Sequence, residues 1–239
     1  MEIQIQPEQS RSDGRKSSVW GVLTDPYTQF GRIKRDPRIW SPLLVVILLS
    51  IVFTGIQGYV ISQQVPLDNE VLEGIEQNSF DQFVFIFSIV GAVFGGTVTP
   101  LFAILVISLV QWLLVKLFSS EVGFRPLFSL NAHLHILAVL ALGVNATSGW
   151  LLGLSVEVQM TSLAVFLSTE HGVVRNLLSQ VELFAIWKWI LTAGGLAVVA
   201  GLTRKQGWTV VGIIIALSLS LAALFGWVET FMEEMVPVQ

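Results

Sequence analysis

Two ionisable residues stand where one apolar stretch of the sequence begins. Glu182 precedes the run 183–202, in which Lys188 is the only charge. A charge inside an apolar helix marks an ion pair or a transport path when it is buried, and otherwise a long side chain carries it to the membrane surface. Two interpretations of Lys188 therefore stay open. It snorkels outward between the tryptophans that flank it, or it pairs with an acid, Glu157 or Glu182.

The other residue types capable of chemistry are sparse. His133 and His135 are two apart, so on a helix they point to different faces and cannot form a two-histidine metal pair, and we expect them at the membrane interface. The absence of cysteine excludes a disulfide and a thiolate nucleophile. The sequence also lacks a P-loop, an HExxH pair and a nucleophile elbow. We therefore expect no enzyme activity, no cofactor or metal site and no nucleic-acid partner.

A run of acidic residues separates the first two apolar stretches. Residues 62–82 hold five acids and no Lys or Arg, and Glu70, Glu73 and Glu76 are among the acids. Apolar residues at helical spacing between them predict a short acidic amphipathic helix. Such a helix is a candidate site for a cation or a basic partner, although a run of this kind is more often a solvated face.

The elements that would hold these residues are membrane-spanning helices. Of the 239 residues, 53% are hydrophobic and 13% are charged, whereas a soluble domain carries about 25% charged residues. About 20 apolar residues of helix cross the hydrocarbon core of a bilayer. The predicted fold class is an all-α integral membrane protein, a bundle of five transmembrane helices with additional short interfacial helices. The predicted spans are 42–61, 97–118, 133–150, 183–202 and 208–227.

One apolar segment, 83–117, is too long for a single span. Gly95, Gly96 and Pro100 predict a break that leaves an interfacial helix at 81–95 before the second span. Two full spans are the alternative and would reverse the orientation of everything downstream. We expect a loop at 119–131. The domain boundaries that follow are a disordered tail at 1–18, a basic amphipathic segment at 19–38, a membrane domain at 39–228 and a C-terminal tail at 229–239.

Small residues recur at helical spacing in two of these segments. Ala193, Ala197 and Gly201 are four apart, and Gly91 and Gly95 form a GxxxG pair. Stripes of this kind let helix backbones approach closely inside a membrane, so we expect helix packing there rather than an ion path. A parallel stripe consists of Ser88, Ala92 and Gly96.

The Lys and Arg residues alternate between the connections. From the N-terminal forty residues through four connections to the C-terminal tail, their counts are seven, zero, two, one, two and zero. Because cytoplasmic connections carry more of these cations, five spans with a cytoplasmic N-terminus and an extracytoplasmic C-terminus satisfy every connection. Because these spans would contact lipid, the first predicted partner of the protein is the lipid bilayer.

Several short motifs follow one another in a distinctive order. They are Asp25-Pro26, Trp40-Ser41-Pro42, the stretches 123–128 and 161–164, and the set Glu182, Phe184, Ile186, Trp187, Gly195 and Leu196. Together they cover about residues 20–228 and resemble the Yip-domain (Ypt-interacting protein) family of membrane proteins. The family commonly has Asp where Glu182 stands.

That resemblance implies a five-span fold with a cytoplasmic N-terminus and no enzyme activity. Eukaryotic relatives take part in vesicle trafficking with small GTPases. Resemblance to the bacterial branch implies a place in the cell membrane and an accessory role beside a MacAB-like ABC exporter linked to protection from a toxic peptide.

Two functions from different classes therefore remain. The first is an accessory or assembly factor that binds the subunits of another membrane complex, such as an ABC exporter. The second is a small solute transporter or channel. Either function is compatible with an oligomer. The candidate structural or partner-contact residues are Glu182, Phe184, Trp187, Lys188, Ala193, Ala197, Gly201, Glu70, Glu73 and Glu76.

Overall fold

The computed structural model describes residues 16–64, 77–155, 158–167 and 172–235. Within these ranges the ordered elements are helices, apart from one isolated antiparallel bridge between Ser162 and Glu182. This confirms the all-α class. The helices are α1 (Gly21–Thr24), α2 (Pro26–Arg35), α3 (Trp40–Gln64), α4 (Gln77–Lys116), α5 (Phe124–Leu134), α6 (Ile136–Leu152), α7 (Val173–Ser179), α8 (Leu183–Val199) and α9 (Arg204–Met235), with a 3₁₀ turn at Leu163–Phe166.

Four helical segments are long and apolar enough to cross a membrane. The fifth apolar helix, α8, has 17 residues and is about 26 Å long at the usual rise per residue. The described residues therefore hold four candidate spanning segments and one shorter apolar helix, and a count of five depends on α8. The four segments are Trp40–Gln64, Phe85–Lys116, Phe124–Leu152 and Arg204–Met232.

The predicted break at Gly95–Pro100 is wrong. Helix α4 passes through this region as one helix from Gln77 to Lys116, with Pro100 inside it. A proline removes one backbone hydrogen bond and ends helices in water. Membrane helices tolerate an internal proline better than helices in water do, and here the helix continues through it.

The glycines of this region serve the packing of α4 on α3. A Cβ at Gly96 would lie 2.6 Å from the Cα and N atoms of Ile51, so no larger residue fits there. Gly91, in contrast, has no atom of the described chain within 4 Å of a Cβ. The predicted stripe therefore faces α3, whereas the Gly91 end of the GxxxG pair does not. The other close approaches along this seam pair Ala92 with Gly55, Ser88 with Gly58 and Gly95 with Thr54.

The predicted loop at 119–131 is wrong in its second half, because α5 begins at Phe124. Gly123 is extended ahead of the helix, and Pro126 lies in the first turn, where its missing amide hydrogen costs little. The histidines that follow face protein rather than the membrane surface. His133 is wholly buried with Nδ1 2.7 Å from the Ser129 carbonyl oxygen, and His135 is half-buried between α5 and α6.

The predicted basic amphipathic segment at 19–38 contains α1 and α2, and α2 carries most of its basic residues. Asp25 caps it by accepting a bond from the Thr28 amide, and Pro26 occupies its first position. Its apolar face does not lie free on a membrane, because Phe30 and Ile33 are wholly buried against the bundle. Helices α5 and α8 cover this apolar face.

The connections gather at two ends of the bundle. At the α2 end, the Ser120 hydroxyl donates to the Ala200 carbonyl at 2.7 Å. At the α7 end, Gln64 Nε2 donates to the Leu154 carbonyl at 2.8 Å. The apolar segments α3, α4, α5–α6, α8 and α9 therefore run alternately in opposite directions between these two ends.

Two more predictions concern the acidic helix and the C-terminal tail. The acidic residues Glu70, Glu73 and Glu76 lie outside the described residues. The predicted C-terminal tail is helical as far as Met235, because α9 continues past Trp227. Glu229 in that last part accepts a hydrogen bond from Asn176 Nδ2 at 3.0 Å, which ties the end of α9 to α7.

Candidate functional site

Glu182 lies at the start of α8 and joins three elements. Its carboxylate accepts a hydrogen bond from the Thr161 hydroxyl at 2.7 Å. Thr161 in turn accepts one from Asn145 Nδ2 of α6 at 3.3 Å. Backbone bonds from Leu163 N to the Val181 carbonyl and from Leu183 N to the Thr161 carbonyl hold the two strands of this bridge together, both at 3.0 Å. This Glu182 network therefore fixes the turn before α8 to α6.

Lys188 acts electrostatically on this network from one and a half turns into α8. Burial raises the pKa of the Glu182 carboxyl, whereas the hydrogen bond from Thr161 and the positive charge of Lys188 lower it. The Lys188 side chain is half-buried. No ion pair within 4.0 Å joins Lys188 to Glu182 among the described residues, so the lysine acts from a distance and both interpretations of Lys188 stay open. Glu157, the other predicted partner, lies outside the described residues.

The remaining predicted residues of α8 lie on different faces. Phe184 packs against the core, and Trp187 is exposed. Ala193 is buried and closely approached by α9, because a Cβ at Gly207 would lie 2.6 Å from its carbonyl oxygen. Gly201 does not continue the stripe. The helix ends at Val199, and Gly201 adopts φ +70°, a backbone turn that favours glycine.

Replacing Thr161 by valine tests the network. The substitution keeps the shape of the side chain but removes the hydroxyl that donates to Glu182 and accepts from Asn145. Leaving these partners unsatisfied costs about 1–3 kcal/mol, so we expect a lower melting temperature in detergent. The matched control is Thr209→Val, whose exposed hydroxyl bonds only to the carbonyl one turn back. Equal melting temperatures for the two variants would show that the network contributes no stability.

A cavity of about 260 Å³ lies between α3, α4 and α6. Its walls also include Gly96 and Pro100, where α4 approaches α3 most closely. Because Pro100 has no amide hydrogen, the Gly96 carbonyl lacks the donor that a regular helix supplies. The polar lining residues are Ser50, Thr54 and Gln57 of α3, Thr99 of α4, and His135 between α5 and α6.

These five polar side chains make no hydrogen bond within the described chain. Other helix hydroxyls, such as those of Thr192 and Ser220, bond to the carbonyl four residues earlier. Hydroxyl, amide and imidazole groups bind an uncharged hydrogen-bonding group well. The lining has no carboxylate, so the cavity is poorly suited to a cation.

A third feature lies on the outer face of α9. Gly212, Ala216 and Ser220 are four residues apart, and all three are exposed. No atom of the described chain lies within 4 Å of a Cβ at Gly212. The Ser220 hydroxyl bonds to the Ala216 carbonyl at 2.8 Å and therefore needs no outside partner. This α9 stripe leaves room for another helix to approach closely.

The sequence contains signals for both of these features that our interpretation missed. Ser50, Thr54 and Gln57 stand at i, i+4 and i+7 inside an apolar span, which places three polar side chains on one face. The α9 stripe has the same spacing as the stripe predicted in α8. Among the described residues, no three His, Asp or Glu side chains come together as metal ligands.

Comparisons with known proteins give a family and one curated relative. The model of the Yip1 domain family matches residues 20–228. The chain is 28% identical over 208 residues to the membrane protein YknW of Bacillus subtilis (strain 168), which covers 85% of this chain and 89% of the relative. No solved structure matches the chain.

Proposed function

Because the chain belongs to the Yip1 domain family, we propose that it is a non-enzymatic protein of the bacterial cell membrane that acts by binding. Its role is that of an accessory or assembly factor for another membrane complex. The α9 stripe carries this proposal, since its three small residues are exposed on a helix long enough to span the membrane. A second transmembrane helix is the partner that fits such a surface.

The proposed partner is a MacAB-like ABC exporter involved in protection from a toxic peptide. This assignment rests on the family resemblance, since the name of the bacterial relative identifies it only as a membrane protein. In the proposed orientation, the α2 end faces the cytoplasm. The acidic run with Glu70, Glu73 and Glu76 then faces outward, where the extracytoplasmic adaptor of such an exporter would lie.

Substituting Ala216 by leucine tests the binding surface. The added side chain would hold a partner helix away from α9, so we expect recovery of the partner from native membranes to fall several-fold. The measurement is affinity purification followed by quantitative mass spectrometry. Ala103→Leu is the matched control, because Ala103 is also an exposed alanine on a spanning helix, α4.

The outcome of this comparison separates binding from general damage. Both variants should reach the membrane in normal amounts and melt at the same temperature in detergent. A partner that is lost equally with Ala103→Leu and Ala216→Leu would point to a non-specific effect. Unchanged recovery with both variants would remove the α9 stripe as the contact surface.

The alternative function is a small solute transporter or channel. The cavity lined by Ser50, Thr54, Gln57, Thr99 and His135 is the observation that favours it. A binding protein should be inert alone, whereas a transporter moves solute without a partner. Uptake of a solute by liposomes that contain only this purified protein, and its loss on substitution of Gln57 by leucine, would replace the accessory role with transport.

A further inference from the structure

A second, smaller cavity lies at the α2 end, between α2, α8 and α9. Its volume is about 100 Å³. Ile190, Ala193, Gly194 and Ala197 form its apolar floor along α8, and Arg204 of α9 stands at its mouth. Gly194 allows the wall to come close, since a Cβ there would lie 3.3 Å from the Tyr27 hydroxyl oxygen. We refer to this cavity as the α8 groove.

The α8 groove runs from the end of the bundle towards its middle. Ile190 lies nine residues before the last residue of α8, which places it about 14 Å deeper than Val199. Tyr27 and Trp208 border the groove and are both about half exposed. Tyr and Trp are the residues that line the boundary between membrane and water. The groove therefore begins at the boundary and continues into the apolar layer.

The mouth of the groove carries donors that the protein leaves available. Arg204 is exposed, and neither its guanidinium nor the Tyr27 hydroxyl bonds to another group of the described chain. The α2 end is strongly basic as a whole. Of the described Lys and Arg residues, nine lie at this end: Lys16, Arg32, Lys34, Arg35, Arg38, Lys116, Arg125, Arg204 and Lys205.

We propose that the α8 groove binds one anionic phospholipid. An acyl chain lies along Ile190, Ala193 and Ala197, and the headgroup phosphate accepts hydrogen bonds from Arg204 and Tyr27. Arginine suits phosphate because its planar guanidinium presents several donors to one anion. The net positive charge of this end selects an anionic headgroup over a zwitterionic one.

Lipid retention by the full-length protein tests the site. The purified protein in detergent is titrated with phosphatidylglycerol or with phosphatidylcholine of the same acyl chains, and bound lipid is counted by native mass spectrometry. We expect phosphatidylglycerol to bind in preference. Arg204→Gln should weaken its binding about tenfold, the size of one lost charged hydrogen bond. Arg204→Lys should retain most of the affinity that the charge supplies.

Two further variants separate the groove from its surroundings. Lys205→Gln removes the neighbouring exposed charge, which does not line the groove, and should change affinity less than twofold. Ala197→Phe fills the apolar floor and should weaken both lipids. Equal losses with Arg204→Gln and Lys205→Gln, or equal binding of the two lipids, would overturn the site. Displacement of the lipid by soluble glycerol phosphate would overturn the role given to the acyl chain.

Discussion

Replacing Gly96 by alanine is expected to destabilise this protein by roughly 1–3 kcal/mol, the usual cost of overpacking. The new Cβ would lie 2.6 Å from the Cα and N atoms of Ile51, and two backbones cannot give way as a flexible side chain does. Helices α3 and α4 would have to move apart along their whole seam. We expect a lower melting temperature in detergent, and a loss of monodisperse protein for the larger substitution Gly96→Leu.

Gly91 provides a control of opposite sign in the same helix. A Cβ at Gly91 meets no atom of the described chain, so only the helix propensity changes. Alanine is favoured over glycine in a helix by up to about 1 kcal/mol, so Gly91→Ala should leave the melting temperature unchanged or raise it. Comparable destabilisation by the two alanine variants would show that Gly96 contributes nothing beyond its own helix.

The same seam shows why a sequence gives only part of this fold. Gly95, Gly96 and Pro100 predict a break by their intrinsic preferences, and those preferences dominate for a helix in water. In α4 the cost of the two glycines is offset by close contact with α3, and that contact depends on which residues of α3 lie opposite. The length of an apolar helix can be read from its own segment, whereas the pairing of α4 with α3 depends on both segments.

The start of α8 was easier to predict. The acid at Glu182 stands directly before an apolar run, and helix α8 begins at the next residue. Its hydrogen-bond partner was not predictable in the same way. Thr161 lies in a loop, 21 residues before Glu182 in the chain. Neither the spacing of residues nor their hydropathy connects the two positions. Asn145 of α6 bonds to the same loop, and nothing in its sequence context indicates that partner.

The cavity illustrates a different limit. Polar residues at i, i+4 and i+7 in α3 indicate that one face is special, but they do not show whether that face meets another helix or a space. The answer depends on α4 and α6, which carry small residues at Gly95, Gly96 and Ala138 around it. The sequence therefore contains the donors and acceptors, but only the packing of α4 and α6 places them around a cavity.

Reporter fusions are expected to separate the two ends of the bundle completely. A fusion in the connection 200–203 should read cytoplasmic, and a fusion after Gln239 should read extracytoplasmic. Nine described Lys and Arg residues lie at the α2 end, whereas Arg175 lies in α7 at the other end. This difference in positive charge strongly favours a cytoplasmic α2 end. The measurement uses alkaline phosphatase, which is active outside, and green fluorescent protein, which fluoresces inside.

These two fusions also decide whether α8 spans the membrane. With 17 residues, α8 is shorter than the roughly 20 that cross a bilayer without thinning it. If α8 does not cross, the connection 200–203 would read extracytoplasmic and the fusion after Gln239 cytoplasmic. A fusion after Ser155 reads extracytoplasmic in both cases and serves as the control. The reversed pair of readings, with that control unchanged, would reduce the bundle to four spans and remove the five-span orientation.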